Sequence, residues 1–312
     1  MSAAEIMVRI LADSITDDGS RLVTWEWTYP RCIHAEIMTY RVISRNLASS
    51  RAIPAAKLRA SILDKPYVPL VWGMNQKGMQ ADREIDDTTA AEAWWLRGRD
   101  YMAAWHAEGE AMGLHKQVVN RGIEPWMMAV GVITMTDHAN LWHQRRHKDA
   151  EPHFQRLANL SWEAYHNHMP TYRAPGEWHL PFITAADWAD QKHLFQNNFD
   201  TRNPGALLKV STGRCARVSY MTHEGKRDLK EDIALHDRLA GSAASGAPMH
   251  ASPFEHPAMA VGGRTRIKNF TGWKQYRCLF EYEGGPATDD QCEQCGCWGG
   301  RHVPVCPAKE ST

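Results

Sequence analysis

HASPFEH, residues 250–256, sets two histidines, a hydroxyl and a carboxylate around one Pro-Phe step. Proline fixes its own φ and keeps the residue before it out of the helical region, so these polar groups are presented on a turn. A single histidine in such a place is usually a core or capping residue. His250 and His256 with Ser252 and Glu255 between them can accept or hold a proton at several points.

The other decisive stretch is TYRVISRNLASSR, residues 39–51, the densest polar run in the chain. Arg41, Arg45 and Arg51 carry planar forks that match phosphate oxygens, and Ser44, Ser49 and Ser50 with loop N–H groups complete an anion shell. On composition alone such a run is more often a solvated loop. Before it, RLVTWEWTY (21–29) is β-branched and aromatic with rough alternation. Pro30 then opens RCIHAEIMTYR, where Ile33, Ile37 and Tyr40 share a face. The spacing predicts a strand feeding directly into a helix.

Further along, Thr89 and Glu92 form a capping-box pattern, and Trp94, Gly98, Tyr101, Trp105 and Met112 fall near one face of a long helix. That aromatic stripe is expected to be core. From Phe154, residues Leu157, Leu160, Ala164, Tyr165 and Met169 recur at helical spacing until Pro170 stops them. No fixed-period repeat is present, so solenoids and propellers are excluded. Pro170, Pro175, Gly176 and Pro181 mark a break. It divides the chain into an N-terminal region spanning residues 1–170, a second region spanning residues 171–283 that carries HASPFEH, and a Cys-containing tail over 284–312.

Lys plus Arg and Asp plus Glu each number 36, so no global field draws the chain to nucleic acid or anionic lipid. An anionic ligand must be held by local arginines. Hydrophobic residues make up 43%, yet no apolar run reaches the length of a membrane span, and MSAAEIMVRILADSITDD lacks the pattern of a secretion signal. A cytoplasmic protein without membrane or nucleic-acid partners is the expectation. Seven cysteines are few and odd for a disulfide framework. In the tail, Cys292, Cys295 and Cys306 with Cys297 or His302 could hold Zn²⁺ through a CxxC turn, but the remaining spacing fits no standard site.

Taken together, these stretches resemble the flavin-dependent thymidylate synthases, the ThyX family. The family pattern is Arg-His-Arg, seven residues, then Ser; Arg41 and Ser49 keep that spacing, while Thr39, Tyr40 and Leu47 depart from it. KQVVNRGIEP (116–125) resembles the family's Ala-Arg-x-x-Leu-Pro segment, with Arg121 at its nucleotide-binding arginine. NLWHQRRHKDAE (140–151) resembles its Asn, four residues, Arg segment. HASPFEH is close to His-x-Ser/Thr-Pro-Phe-Glu-His, and CARVSY (215–220) resembles Ala-Arg-x-Ser. The order differs: in the family HxSPFEH precedes the arginine motif, whereas here it follows, as in a rearranged chain.

The resemblance implies an α+β fold, with an antiparallel sheet packed against long helices. It implies FAD held by Thr39, Tyr40, Arg41, Asn140, His250, Ser252 and Glu255. The nucleotide would lie against Glu36, Arg41, Leu47, Ser49, Ser50, Arg51, Arg121 and Arg145, with Arg145 the catalytic cation beside the pyrimidine. The implied reaction is reductive C5-methylation of UMP or dUMP, with methylenetetrahydrofolate and NADPH as co-substrates. The implied assembly is a homotetramer whose sites are shared between subunits. Loss of the family's glutamate at Leu47 resembles the branch acting on uridylate in polyoxin-type nucleoside antibiotic pathways. The rival readings are a dUMP-specific synthase, a methylase of a deoxycytidine nucleotide, and a non-catalytic nucleotide or RNA binder.

Overall fold

The computed structural model describes residues 3–195, 200–219, 228–241 and 249–280. Met7–Ile15 (β1) and Arg21–Pro30 (β2) form an antiparallel hairpin, and a register shift between Ile10 and Ala12 leaves Leu11 as a bulge. As expected from Pro30, β2 runs straight into a 3₁₀ turn, Arg31–Ile33, and a short helix, His34–Met38 (α1). Ser44–Leu47 (β3) and Met128–Met135 (β4) complete the centre of a five-stranded sheet, joined at its far edge by Thr171–Tyr172 (β5) in the order β3-β4-β2-β1-β5.

The expected α+β class holds, with one correction. The sheet is antiparallel only through its first four strands, because β5 lies parallel to β1. The helix that precedes β5 packs on β1 and returns the chain to the start of the sheet, which gives the parallel sense. A second, three-stranded sheet joins Trp178–His179 (β6), Ala258–Ala260 (β7) and Trp273–Gln275 (β10). Arg266–Ile267 (β8) and Phe270–Thr271 (β9) form a small ribbon.

Six of the remaining helices are Ala55–Asp64 (α2), Thr88–Ala111 (α3), Lys116–Val119 (α4), His138–Arg145 (α5), Pro152–Asn167 (α6) and Ala185–Phe195 (α7). Ala206–Ser219 (α8) and Leu229–Leu239 (α9) pair with each other. The main core gathers where β2 turns Val23, Trp25, Trp27 and Tyr29 against Ile33, Ile37, Phe154 and Leu157. On the other face of β2, Leu22 packs with Phe270, Trp273 and Ala258, so this central strand is covered on both sides.

Two expectations for α3 are overturned. Its first turn is capped by the Asp87 carboxylate, which accepts from Ala90 N–H at 2.8 Å, and not by Thr89. Trp94, Tyr101, Trp105 and Met112 face outward at 50–73% exposure, while Arg99, Ala103, His106 and Gly109 are buried. Buried polar partners explain the inversion: His106 Nε2 meets Asn120 Oδ1 at 2.9 Å, which anchors the polar side of the helix inside. Among the described residues no helix is long and apolar enough to cross a membrane. The tail with Cys292, Cys295, Cys297 and Cys306 lies outside the described residues, among which no group of His, Cys, Asp and Glu is arranged to hold a metal.

Candidate active site

β3 is the base of the site. Pairing with β4 leaves Asn46 buried, and its amide reaches across to α8, donating to Cys215 C=O at 2.6 Å and accepting from Ser219 Oγ at 2.6 Å. This double link pins the end of α8 to the strand. The turn Ser252–Glu255 settles against both β3 and α8, with Pro253 and Phe254 buried under it. From the far side Gln275 Nε2 donates to Ser44 Oγ at 2.6 Å and to Glu255 C=O at 3.0 Å.

These contacts frame a cleft of about 470 Å³ lined by Arg45, Asn46, Leu47, Ser49, Arg51, Ala52, Gln117, Ser219, His250 and Ser252. Two segments at opposite ends of the chain thus face one space. Arg45 is held there by donating to Tyr40 C=O at 3.2 Å and Ile43 C=O at 3.3 Å, while Arg51 is exposed. Two guanidinium groups, several hydroxyls and an imidazole make an anion-seeking wall with two apolar members, Leu47 and Ala52.

Of the residues singled out from the sequence, Leu47, Ser49, Arg51, His250 and Ser252 line this cleft. Ser50 is turned away and donates to Glu124. Glu255 sits behind the wall, paired with Arg277. Arg121 is half-exposed and bonds Glu124 at 2.9 Å, the ordinary surface pair. Arg41 and Asn140 are exposed and outside the cleft.

Thr39, Tyr40 and Arg145 form a separate group with Glu36. The Arg145 guanidinium lies 5.5 Å from the Tyr40 ring and 4.8 Å from the Phe154 ring, and its Nη2 is 3.5 Å from Thr39 Oγ1. Arg145 Nε and Glu36 Oε2 are both buried without a hydrogen-bond partner. Burial pushes the Tyr40 hydroxyl pKa up from its ordinary value.

Behind the cleft runs a buried chain of polar groups. Ser14 Oγ meets His179 Nδ1, His179 Nε2 meets Thr24 Oγ1, Thr24 meets Thr134 Oγ1, and Thr134 meets His256 Nδ1, each at 2.8 Å. Burial drives the pKa of both imidazoles down to about 3, so they are neutral near pH 7. His256, the last residue of HASPFEH, therefore serves the interior and not the cleft.

Sequence reasoning offered Arg45 as a phosphate-matching arginine but gave Asn46, Gln117 and Ser219 no role in the site. Asn46 lay within the polar run, Gln117 within KQVVNRGIEP and Ser219 within CARVSY, so each sat in a segment already singled out.

No protein-family model and no curated protein matches the chain. Solved structures with similarity include the UMP/dUMP methylase PolB from Streptomyces cacaoi bound with 5-Br dUMP. It is 14% identical over 53% of this chain and 92% of that one, with a TM-score of 0.43. The flavin-dependent thymidylate synthase ThyX from Helicobacter pylori, complexed with FAD and dUMP, is 13% identical over 46% of this chain and 67% of that one, with a TM-score of 0.33. Likeness this distant leaves the function to be argued from the cleft itself.

Proposed function

We propose that this chain is a flavin-dependent nucleotide methyltransferase of the ThyX kind, adding a methyl group reductively to C5 of a uracil nucleotide. The observation that carries the reading is the meeting of the Arg45–Arg51 run with His250 and Ser252 in one cleft, although the two segments lie far apart in the chain. Chance polar runs have no reason to converge, whereas a phosphate-bearing ligand needs such donors on more than one side.

The donor set fits a dinucleotide cofactor. His250 and Ser252 can satisfy polar atoms of that cofactor, while Arg45, Ser49 and Arg51 match the phosphate of the nucleotide substrate. FAD, when bound, supplies the hydride that originates on NADPH and reduces the one-carbon unit of methylenetetrahydrofolate. The chain's own residues bind and orient: the arginines hold phosphate, and Leu47 gives an apolar wall where a carboxylate would add an acceptor and a charge. That wall relaxes the demand on a ribose 2′-hydroxyl, so both UMP and dUMP are accepted.

Arg145 supplies the cation beside the pyrimidine, contributed by another copy in a homotetramer. Its unpartnered Nε and the unpartnered Glu36 Oε2 are the kind of buried atoms that a second chain or a ligand completes.

The test is retention of FAD after desalting, followed by turnover of UMP and dUMP with the two co-substrates. Bound flavin and methylation of both nucleotides are expected. Arg51→Ala should weaken nucleotide binding about tenfold to a hundredfold, the loss of one charge-assisted hydrogen bond. No retained flavin and no turnover overturns the reading. Nucleotide binding without flavin would favour a non-catalytic binder.

A further inference from the structure

A second cavity, of about 230 Å³, lies on the far side of β1. It is smaller than the usual range of ligand pockets and too small for a nucleotide. Trp178 and Trp188 supply its aromatic walls, with Ile10, Leu180 and Ile183 adding aliphatic surface. The polar lining is Asp13, Ser14, His168, Thr171 and Arg173.

The charged groups of that lining have counter-charges, but one guanidinium nitrogen lacks a hydrogen bond. Asp13 is neutralised by the Arg21 fork at 2.9 and 2.6 Å and by His168 Nδ1 at 2.8 Å. Glu177 is the counter-charge of Arg173 but spends its hydrogen bonds on Ala174 N–H at 2.9 Å and Thr201 Oγ1 at 2.6 Å. The hydroxyl of Ser14 is engaged with His179. Arg173 is anchored by its backbone N–H on Ile15 C=O at 2.9 Å, yet its Nε is buried with no hydrogen-bond partner. A buried guanidinium donor left open costs free energy, and an acceptor in the cavity that Arg173 lines would recover it as the side chain turns to meet it.

The walls are built rather than incidental. The Leu11 bulge re-aims β1 where it borders the cavity. Phe182, between the lining residues Leu180 and Ile183, holds φ at 65°, a strained region for a residue with a side chain. That loop is fastened by buried Arg214, which donates to Phe182 C=O at 2.8 Å, and by Ser211 donating to Pro181 C=O at 2.7 Å.

We propose that this cavity binds a one-ring aromatic carboxylate, its carboxylate on the Arg173 fork and its ring between Trp178 and Trp188. Guanidinium matches carboxylate in a bidentate fork, indole faces accept a flat ring, and the volume admits one ring. The site is separate from the nucleotide cleft and does not depend on the function assigned there.

The test uses 4-fluorobenzoate as probe, followed by ¹⁹F NMR with the full chain. Saturable binding in about the millimolar range or tighter is expected, as befits so small a ligand. The neutral analogue 4-fluorobenzamide should bind at least tenfold more weakly, a comparison that needs no altered protein. Arg173→Gln should cost the same factor for the acid, and UMP should not displace the probe. Absence of saturable binding, equal affinity for acid and amide, unchanged affinity in the variant, or displacement by UMP each overturns the proposal.

Discussion

Asn46 shows how one side chain sets the site. Its amide donates to the Cys215 carbonyl and accepts from the Ser219 hydroxyl, so it couples the strand carrying the arginine run to the helix that closes the cleft. Asn46→Ala leaves both partners buried and unsatisfied, and we expect a loss of about 2–4 kcal/mol. Urea denaturation of the variant measures it; a loss below about 1 kcal/mol would mean that the two partners find other bonds. At this scale the sequence was informative about residue type and silent about direction. The polar run and HASPFEH announced a site for a polar, anionic ligand, and five of their candidate residues line the cleft. Ser50, Arg121 and Glu255 are turned to Glu124 or Arg277, because a charged partner within reach satisfies such a group as well as a ligand would.

At the scale of elements, the α8–α9 pair depends on Gly213. A Cβ built there would stand 2.4 Å from the Asp232 carbonyl oxygen, and backbone cannot yield as a flexible side chain can. The same approach puts Asp232 in reach of Arg214 at 2.9 Å and Arg217 at 2.6 Å. Gly213→Ala is therefore expected to destabilise the fold by about 1–3 kcal/mol or more, despite alanine's better helix propensity. A thermal melt reads the effect, and an unchanged or raised midpoint would show that the helices slide apart at no cost. Element positions were largely legible: the alternation of β2, its proline boundary and the period of α6 all correspond to observed spans. The inward face of α3 was not. Aromatic residues at helical spacing mark a stripe, but the buried side was decided by Arg99 and His106 finding partners inside, which periodicity does not record.

For the molecule as a whole, neutral buried histidines dictate behaviour in acid. Burial brings His138, His179 and His256 from an ordinary pKa of 6.5 to about 3. Unfolded, each takes a proton near pH 6.5; folded, each refuses it until about pH 3. The unfolded chain therefore binds more protons across that window, and stability falls as pH falls through it. Three such groups give a slope of about 4 kcal/mol per pH unit in its middle. Asp187, also held below its ordinary value, acts in the same direction only nearer pH 4. Urea unfolding between pH 7 and 5 should show this decline, and constant stability over that range would contradict it. The α+β class followed from the family resemblance, but the joining of the sheet's far edge by β5 did not, since a two-residue strand carries no periodic signal.

The chain from Ser14 to His256 has one more property. A neutral imidazole has a single ring proton and a hydroxyl donates once, so two of the arrangements open to the four links run every donation the same way. In one, Ser14 donates toward His179 and the sequence of donations ends with His256 carrying its proton on Nε2. In the other, His256 donates from Nδ1, every arrow reverses, and Nε2 is a bare lone pair. No heavy atom moves between them. When the donations run one way throughout, the direction taken by the Ser14 hydroxyl fixes which nitrogen of His256 carries the proton, so the rim of the small cavity and the Phe-Glu-His turn share one line of hydrogen bonds.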